Sequence, residues 1–275
     1  MKYKHKGGIY ISMKKLFLLL VVLVIGLPLF AQTGEFYYNR GIGYYQMGQL
    51  DRAIDDFTRA IMLDPREPSI WVDRGLCYQE KGDLTRAMSD YERALSLDPN
   101  NGIAYHARGT IHQANDNLDK AMEDYNKALS FDPDNAYTWS DRGNVYLLKG
   151  ELDRAIQDFA KAISLDAKLY YAYYSRGEAY IQKGDYDEAI KDFTRVIDID
   201  PRDPDTWTNR GNAYVSIGDY DKAISDYSRA LTLDPNSALA WSNRGSAHLA
   251  KGNFEQAIKD FDKAIELDPN GVSTR

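Results

Sequence analysis

Residues 68–101 read PSIWVDRGLCYQEKGDLTRAMSDYERALSLDPNN, and this pattern of residue types returns every 34 residues. Self-similarity at a fixed period indicates a repeat architecture, which changes how every other feature of the chain is interpreted. Seven copies align without a gap, and we number the positions of each copy from 1 to 34. The copies span residues 34–67, 68–101, 102–135, 136–169, 170–203, 204–237 and 238–271.

Each copy predicts two amphipathic helices joined by a tight turn. Apolar or small residues recur with helical spacing at positions 4, 8 and 11 and again at positions 17, 20, 21, 24, 27 and 28. A glycine at position 15 favours the left-handed turn that ends the first helix, and Asp or Asn at position 16 is suited to cap the second. The turn glycines are Gly48, Gly82, Gly150, Gly184, Gly218 and Gly252, and the predicted caps are Asp83, Asn117, Asp185, Asp219 and Asn253.

The positions that recur from copy to copy resemble the pattern of a known family. Positions 4, 8, 11, 20, 24, 27 and 32 of the second copy resemble the pattern of the tetratricopeptide repeat (TPR). The resemblance implies an all-α fold, an α-solenoid in which helical hairpins form a right-handed superhelix, and a role in binding proteins. The residues at these positions are Trp71, Gly75, Tyr78, Ala87, Tyr91, Ala94 and Pro99.

Small residues and prolines predict how the helices pack and end. The pair of Gly75 and Ala87 at positions 8 and 20 predicts a close approach of the two helix backbones. An Asp-Pro pair at positions 31 and 32 stops the second helix in most copies. The fourth copy has Asp166 and Ala167 there, so we expect its junction to be continuous or bent differently. The third copy has Asp116 in place of the turn glycine, at a modest cost in stability.

The first 31 residues predict a signal peptide. Lys14 and Lys15 precede an apolar run, and a candidate cleavage point follows Ala31. The predicted location is extracytoplasmic, either periplasmic or secreted, with an uncleaved membrane anchor as the alternative. Met1 and Met13 are both candidate starts, and residues 272–275 form a short tail after the last copy.

Charge and cysteine content narrow the classes of partner. The chain has a formal charge of −7, and removal of the leader with its five lysines takes it to −12. An acidic surface repels phosphate backbones, which argues against nucleic acid as a partner, and a membrane role is expected only if the leader is uncleaved. The one cysteine, Cys77, leaves no intrachain disulfide and is interpreted as a core residue.

Every copy carries an arginine at position 7 and an aspartate at position 23. Both positions border the predicted apolar stripes, so we expect the two side chains to pair, either within a hairpin or across to the next. The alternative is an arginine row that binds anions. The arginines are Arg40, Arg74, Arg108, Arg142, Arg176, Arg210 and Arg244, and the aspartates are Asp56, Asp90, Asp124, Asp158, Asp192, Asp226 and Asp260.

No catalytic constellation, cofactor motif or metal-ligand spacing is found. His112 and His248 replace the tyrosine of position 11 and are interpreted as packing residues, because no other ligand lies at metal-binding spacing. The sequence therefore predicts a protein that is not an enzyme and that uses no metal or cofactor.

A stacked solenoid presents an extended concave face, which predicts a site for a protein or peptide partner. In TPR proteins, positions 2, 5, 9, 12 and 13 of the first helix line this groove. No lysine cluster suited to gripping a C-terminal carboxylate occurs there, so we expect stacking, hydrogen bonds and apolar contact instead. The candidate contacts are Tyr38, His106, Thr110, Tyr137, Ser140, Asn144, Tyr171, Tyr174, Glu178, Thr208, Asn212 and Ser242.

The last copy keeps an apolar pattern on its second helix, with Ile258, Phe261, Ile265 and Leu267. Part of this stripe is expected to be exposed, and such patches often mark association sites. Two functions follow. The first is an extracytoplasmic adaptor that binds proteins along its concave face, and the alternative is a structural envelope protein that self-associates through its last repeat as a homo-oligomer.

Overall fold

The computed structural model describes residues 33–269, which contain fourteen helices and no strands. The predicted signal peptide and the tail after residue 271 lie outside these residues. The helices form tandem pairs, so the all-α, solenoid-type prediction is confirmed. Their bounds are α1 Gly34–Gln46, α2 Leu50–Leu63, α3 Pro68–Glu80, α4 Leu84–Leu97, α5 Gly102–Ala114, α6 Leu118–Phe131, α7 Ala136–Leu148, α8 Leu152–Leu165, α9 Tyr170–Lys183, α10 Tyr186–Ile199, α11 Pro204–Ser216, α12 Tyr220–Leu233, α13 Ala238–Ala250 and α14 Phe254–Leu267.

None of these fourteen helices is both long and apolar enough to cross a membrane. Odd-numbered helices are the first helices of their hairpins, and even-numbered helices are the second.

The turn inside each hairpin has the predicted left-handed residue. All six turn glycines have a positive φ, for example 79° at Gly82. In the second hairpin, the amide of Asp83 donates to the carbonyl of Tyr78 at 2.8 Å, which closes the helix end. Asp116 takes the same conformation with a φ of 58°, alone among the described residues other than glycine.

The predicted caps of the second helices are only partly present. Asp83 and Asp219 accept hydrogen bonds from the amides of Arg86 and Lys222, whereas the three other predicted caps make no such bond. Side-chain caps are more regular on the first helices, where the sequence analysis did not place them. Those caps are Thr33, Glu67, Asn101, Asn135, Asp203 and Ser237.

The junction after the fourth copy is regular, contrary to expectation. α8 ends at Leu165 and α9 begins at Tyr170, the same spacing as at the other junctions. Leu169 occupies the position where other copies have a capping residue, and it is buried against the core of the fourth hairpin. No side chain caps α9, and Leu169 contributes apolar burial at this position instead of a hydrogen bond.

Inside each hairpin the glycine of position 8 lies against the aromatic ring of position 24, whereas the close approach of two backbones at positions 8 and 20 stays a prediction. A Cβ on Gly75 would lie 2.5 Å from Cε1 of Tyr91, and one on Gly143 would lie 2.8 Å from Cε1 of Phe159. The same contact recurs in every hairpin between positions 8 and 24. Position 8 is therefore glycine because the ring of position 24 fills the space of its side chain.

The described chain divides into two compact units, one ending at Asp132 and one beginning at Pro133. The first contains α1 to α6 and the second α7 to α14. Inside each unit, every hairpin packs on the next through its second helix and the following first helix. First helices of successive hairpins also contact each other, as α1 does α3 and α7 does α9, whereas second helices have no comparable contact within the described part. The first helices therefore line the inner side of each unit.

Candidate partner-binding face

Each arginine of position 7 is joined to the aspartate of position 23 in its own hairpin. The guanidinium donates from Nε to Oδ2 and from Nη2 to Oδ1, and in the second hairpin both distances between Arg74 and Asp90 are 2.8 Å. The aspartate side chains are 2 to 8% exposed. Equivalent pairs are Arg40 with Asp56, Arg108 with Asp124, Arg142 with Asp158, Arg176 with Asp192, Arg210 with Asp226, and Arg244 with Asp260.

These two-pronged ion pairs are structural. In the second, sixth and seventh hairpins the remaining guanidinium nitrogen donates to a hydroxyl of the preceding hairpin, as Arg210 does to Thr194 at 3.0 Å. The pair therefore connects neighbouring hairpins as well as the two helices of one. Burial raises the pKa of Asp192 more than the hydrogen bonds and charge of Arg176 lower it. Arginines held in this way offer no row of sites for anions.

An aromatic ring at position 4 lies beside each of these arginines. The guanidinium carbon of Arg142 lies 4.6 Å from the ring centre of Trp139, and that of Arg176 lies 5.7 Å from the ring centre of Tyr173. Where position 4 is tryptophan, its indole nitrogen also donates to the backbone carbonyl of the proline at position 32 of the preceding copy. These bonds join Trp71 to Pro65, Trp139 to Pro133, Trp207 to Pro201 and Trp241 to Pro235.

The twelve candidate contact residues all lie on first helices, but their exposure differs. Tyr137 and Tyr171 are the open members, 38% and 49% exposed. Ser140 and Thr208 are buried, at 4% and 8%, so the structure removes them from the partner surface. Their small side chains sit beneath the helix packing, and the hydroxyl of Thr208 donates to the carbonyl of Pro204 on its own helix. The half-buried members are Tyr38, His106, Thr110, Asn144, Tyr174, Glu178, Asn212 and Ser242.

Several half-buried candidates form side-chain hydrogen bonds with the adjacent hairpin. The hydroxyl of Tyr38 donates to Oδ2 of Asp73 at 2.8 Å, and the hydroxyl of Tyr174 accepts from Nδ2 of Asn209 at 2.9 Å. Each bond joins position 5 of one hairpin to position 6 of the next. Burial raises the pKa of Asp73 to about 6, although the bond from Tyr38 lowers it. Part of the tyrosine content of this face is therefore structural.

Two further candidates are engaged on the same face. Thr110 accepts a hydrogen bond from Nε2 of Gln79, and Asn212 accepts from the hydroxyl of Tyr227 and from Nδ2 of Asn243. Glu178 differs from them, because it makes no hydrogen bond or ion pair with any described residue. Burial raises the pKa of the Glu178 carboxyl, and no neighbouring cation opposes that shift.

Position 12 is glutamine only in the second and third hairpins, and the sequence analysis named none of its residues as a candidate contact. In the first unit Gln79 and Gln113 accept hydrogen bonds from the buried hydroxyls of Tyr91 and Tyr125, both at 2.8 Å. In the second unit position 12 is apolar, and position 24 is mostly phenylalanine. The matched change at positions 12 and 24 is the signal that would have revealed this row. The apolar residues are Leu147, Ile181, Val215 and Leu249.

The shallow depressions at the turns of the first and fourth hairpins are bridged by ion pairs. Lys183 of the fifth hairpin lies 2.8 Å from Asp153 of the fourth, and Lys81 pairs with Asp51 in the same way. These contacts connect successive hairpins across the depressions.

Among residues 33–269, the side chains form no arrangement suited to metal binding, and the one thiol is not placed to act as a nucleophile. No group of three or more His, Cys, Asp or Glu side chains is placed to hold a metal ion. Cys77 is fully buried, and burial raises the pKa of its thiol to about 12, so it stays protonated at neutral pH. His112 lies near Asp124, at 3.8 Å, beside the ion pair of the third hairpin.

The exposed stripe expected on the last repeat is present in part. Ile258 and Ile265 of α14 are exposed, and so is Phe254 at its start. Phe261 is half-buried, because its ring lies against Gly245. Leu267 is half-buried as well.

Comparison with solved structures finds other repeat proteins of this type. The crystal structure of MamA is 30% identical over 60% of this chain and 96% of that chain, with a TM-score of 0.57. YrrB, described as a TPR protein with an unusual peptide-binding site, is 25% identical over 66% of this chain and 94% of that one, with a TM-score of 0.61. A tetratricopeptide repeat protein from Parabacteroides merdae ATCC 43184 is 25% identical over 88% and 96%, with a TM-score of 0.62. Among curated proteins, none matches this chain.

Family profiles cover nearly the whole repeat region, and none of the matched families is a family of enzymes. Profiles described as tetratricopeptide repeat or TPR repeat match residues 34–67, 57–111, 115–150, 143–182, 177–218 and 208–272. Together with the helical hairpins, these matches show that the chain belongs to the tetratricopeptide repeat family.

Proposed function

We propose that this protein is a non-enzymatic scaffold outside the cytoplasm that binds partner proteins or peptides along the first-helix face. The observation that carries the proposal is the exposure of aromatic and polar side chains on first helices whose other residues hold the hairpins together. Tyr137 and Tyr171 are exposed there, although large aromatic side chains usually contribute most when covered. YrrB, a similar structure, is described as having a peptide-binding site.

The extracytoplasmic location rests on the leader alone. Lys14 and Lys15, the apolar run that follows them and Ala31 form the pattern of a signal peptide. Fusion of residues 1–33 to alkaline phosphatase tests the location, because that enzyme becomes active only after export. An inactive fusion would contradict export, and the N-terminal sequence of the exported protein would distinguish cleavage after Ala31 from an uncleaved anchor.

Partner binding is tested by recovery of cross-linked proteins from cells that produce the full chain. The double variant Tyr137→Ser, Tyr171→Ser removes the exposed rings of the first-helix face, and we expect it to lose the recovered partners. The control Phe254→Ser, Ile258→Ser removes a comparable apolar surface from the last repeat. Unchanged recovery with the tyrosine variant would contradict binding along the first-helix face.

The second candidate is self-association through the last repeat. It is favoured by the exposed stripe of Phe254, Ile258 and Ile265, because exposed apolar patches often mark association sites. Light scattering of the full chain at increasing concentration tests it. A rise in mass that Ile258→Ser abolishes would support this function, and a constant monomer mass would exclude it.

A further inference from the structure

The first helices of the fourth and fifth hairpins carry three kinds of side chain on one face, which we call the Glu178 face. It consists of Tyr137 and Tyr171 at position 2, Asn144 and Glu178 at position 9, and Leu147 and Ile181 at position 12. Positions 2, 5, 9 and 12 lie on one side of a helix. α7 and α9 contact each other, so the two sets of residues form neighbouring columns.

One edge of the Glu178 face is aromatic. Tyr170 and Tyr171 lie with their ring centres 3.9 Å apart, and Tyr137 occupies the equivalent place one hairpin earlier. Tyr174 sits one turn further along α9, with its ring against that of Phe193 at 5.8 Å. The exposed ring of Tyr171 is thus supported by that of Tyr170, which reduces the entropy lost when a ligand covers it.

The opposite edge is apolar. Leu147 packs against the core of the fourth hairpin, and the adjacent Leu148 is 63% exposed. The first unit differs at the same position, where Gln79 and Gln113 are committed to buried tyrosine hydroxyls. The aromatic and apolar edges therefore occur together on these two hairpins of the second unit.

Between the two edges lies a carboxylate without a cation. Glu178 is half-buried and unpaired within residues 33–269, whereas the cations on the first helices of the second unit are all engaged. Ion pairs join the aspartates of position 23 to Arg142, Arg176, Arg210 and Arg244, and another joins Asp153 to Lys183.

Further negative charge surrounds the same place. Burial, together with the charges of Glu178, Asp203 and Asp205, raises the pKa of Tyr174 to about 12, which places three carboxylates near that ring. A ligand that enters here meets negative charge and no free cation.

We propose that the Glu178 face binds a segment of a partner polypeptide that carries lysine or arginine next to aromatic or aliphatic residues. This inference rests on the proposed function and names the chemistry of its ligand. The cation pairs with Glu178 and lies against the tyrosine rings, and the flanking apolar side chain covers Leu147, Leu148 and Ile181. An acidic or phosphorylated segment is repelled by the carboxylates. A purely apolar segment would bury Glu178 without a partner, which is unfavourable.

A synthetic peptide array tests the ligand chemistry on the full chain. Each nonapeptide has Lys, Arg, Gln or Glu at its centre and Phe, Leu or Ser on both sides, within a constant Gly-Ser frame. We expect binding to be strongest for Lys or Arg flanked by Phe or Leu. Glu178→Gln should weaken binding of those peptides about five- to tenfold, as loss of a partly desolvated ion pair does, and leave the binding of Gln-centred peptides unchanged.

The matched control is Glu123→Gln, the same chemical change at an exposed position on α6. It should leave every peptide preference unchanged. The variant Glu178→Lys should reverse the preference towards Glu-centred peptides, and circular dichroism verifies that both Glu178 variants keep the helical content of the parent.

Three outcomes would overturn the inference: no array peptide bound, equal binding of basic and acidic peptides, or an unchanged preference in Glu178→Gln. The cross-linking experiment with Tyr137→Ser, Tyr171→Ser reports on partner binding independently of the array. Partner recovery that depends on the tyrosines but not on Glu178 would therefore leave the proposed function in place and reject the basic ligand.

Discussion

At the scale of single residues, the most constrained groups are the buried aspartates of position 23. Asp158 is nearly covered and receives two hydrogen bonds from Arg142, at 2.7 and 2.9 Å. Its removal leaves a largely buried guanidinium without its counter-charge. The sequence showed which residue types face each other, because both recur in every copy beside the apolar stripes. It did not show that the partner lies in the same hairpin.

We expect Asp158→Asn to lower the free energy of unfolding by about 2–3 kcal/mol, because Arg142 loses its charged partner in a buried setting. Asp153→Asn, on the same helix, removes the exposed partner of Lys183 and should cost less than about 1 kcal/mol. Urea unfolding of the two variants and the parent measures the difference. Equal losses would show that burial does not set the strength of these pairs.

The raised pKa of Asp73 should make its contribution to the free energy of unfolding fall as the pH rises, whereas the contribution of an ordinary paired carboxylate increases. Burial raises its pKa from 3.8 to about 6, so the folded state holds a proton that the unfolded state releases. The contribution of Asp73 to stability is complete below pH 3.8 and is lost as the pH rises through 6. Asp73→Asn should therefore stabilise the protein by about 1–3 kcal/mol at pH 7, and the difference from the parent should vanish near pH 4.

Unfolding curves of Asp73→Asn and the parent at pH 4, 5, 6 and 7 measure this difference. The comparison cancels the titration of groups that the two proteins share. A constant difference across the range would contradict a raised pKa at Asp73.

At the scale of helical elements, each hairpin is organised by a ring of position 24 that lies on the glycine of position 8. A tyrosine in this ring is coupled to an acceptor for its hydroxyl at position 12 or position 9. Tyr91 and Tyr125 have a glutamine acceptor at position 12 and Tyr227 has Asn212 at position 9, whereas Phe159 has no hydroxyl and has Leu147 at position 12. The coupling follows from the cost of burying a hydroxyl without a hydrogen-bond partner.

In a background that carries Asn144→Ala, which removes the amide equivalent to the Asn212 acceptor of Tyr227, Phe159→Tyr should lower the free energy of unfolding by about 1–3 kcal/mol, because its new hydroxyl lacks an acceptor. Adding Leu147→Gln supplies the acceptor that the second and third hairpins have. The double variant should be more stable than the sum of the two single effects predicts, as a thermodynamic cycle of the four proteins measures. Strict additivity would show that the two positions are independent.

At the scale of the whole molecule, stability is distributed along a series of hairpins. In the second unit, each helix has its main contacts only with helices one or two places away in the chain. Repeat proteins built in this way behave as a sum of local units and of interfaces between neighbours. Damage in one hairpin should therefore remain local.

We expect Asp158→Asn to speed amide hydrogen exchange in α7, α8 and α9 and to leave α13 and α14 unchanged. The reason is that only the first three helices include or contact the broken ion pair. Hydrogen exchange followed by mass spectrometry of peptides from each helix measures the profile. A uniform increase over the second unit would indicate that the unit unfolds as a single cooperative body.

The amino-acid sequence by itself determined the repeat, the two helices of each copy, the left-handed turn and the family. These features depend on residues close together in the chain, and a period of 34 residues displays each of them seven times. The tertiary structure decided which groups meet across packed helices: Arg142 with the aspartate of its own hairpin, the ring of Phe159 with Gly143, and Glu178 with no cation from residues 33–269. Such pairings depend on how helices approach one another, and the spacing of residues along a single helix does not contain that information.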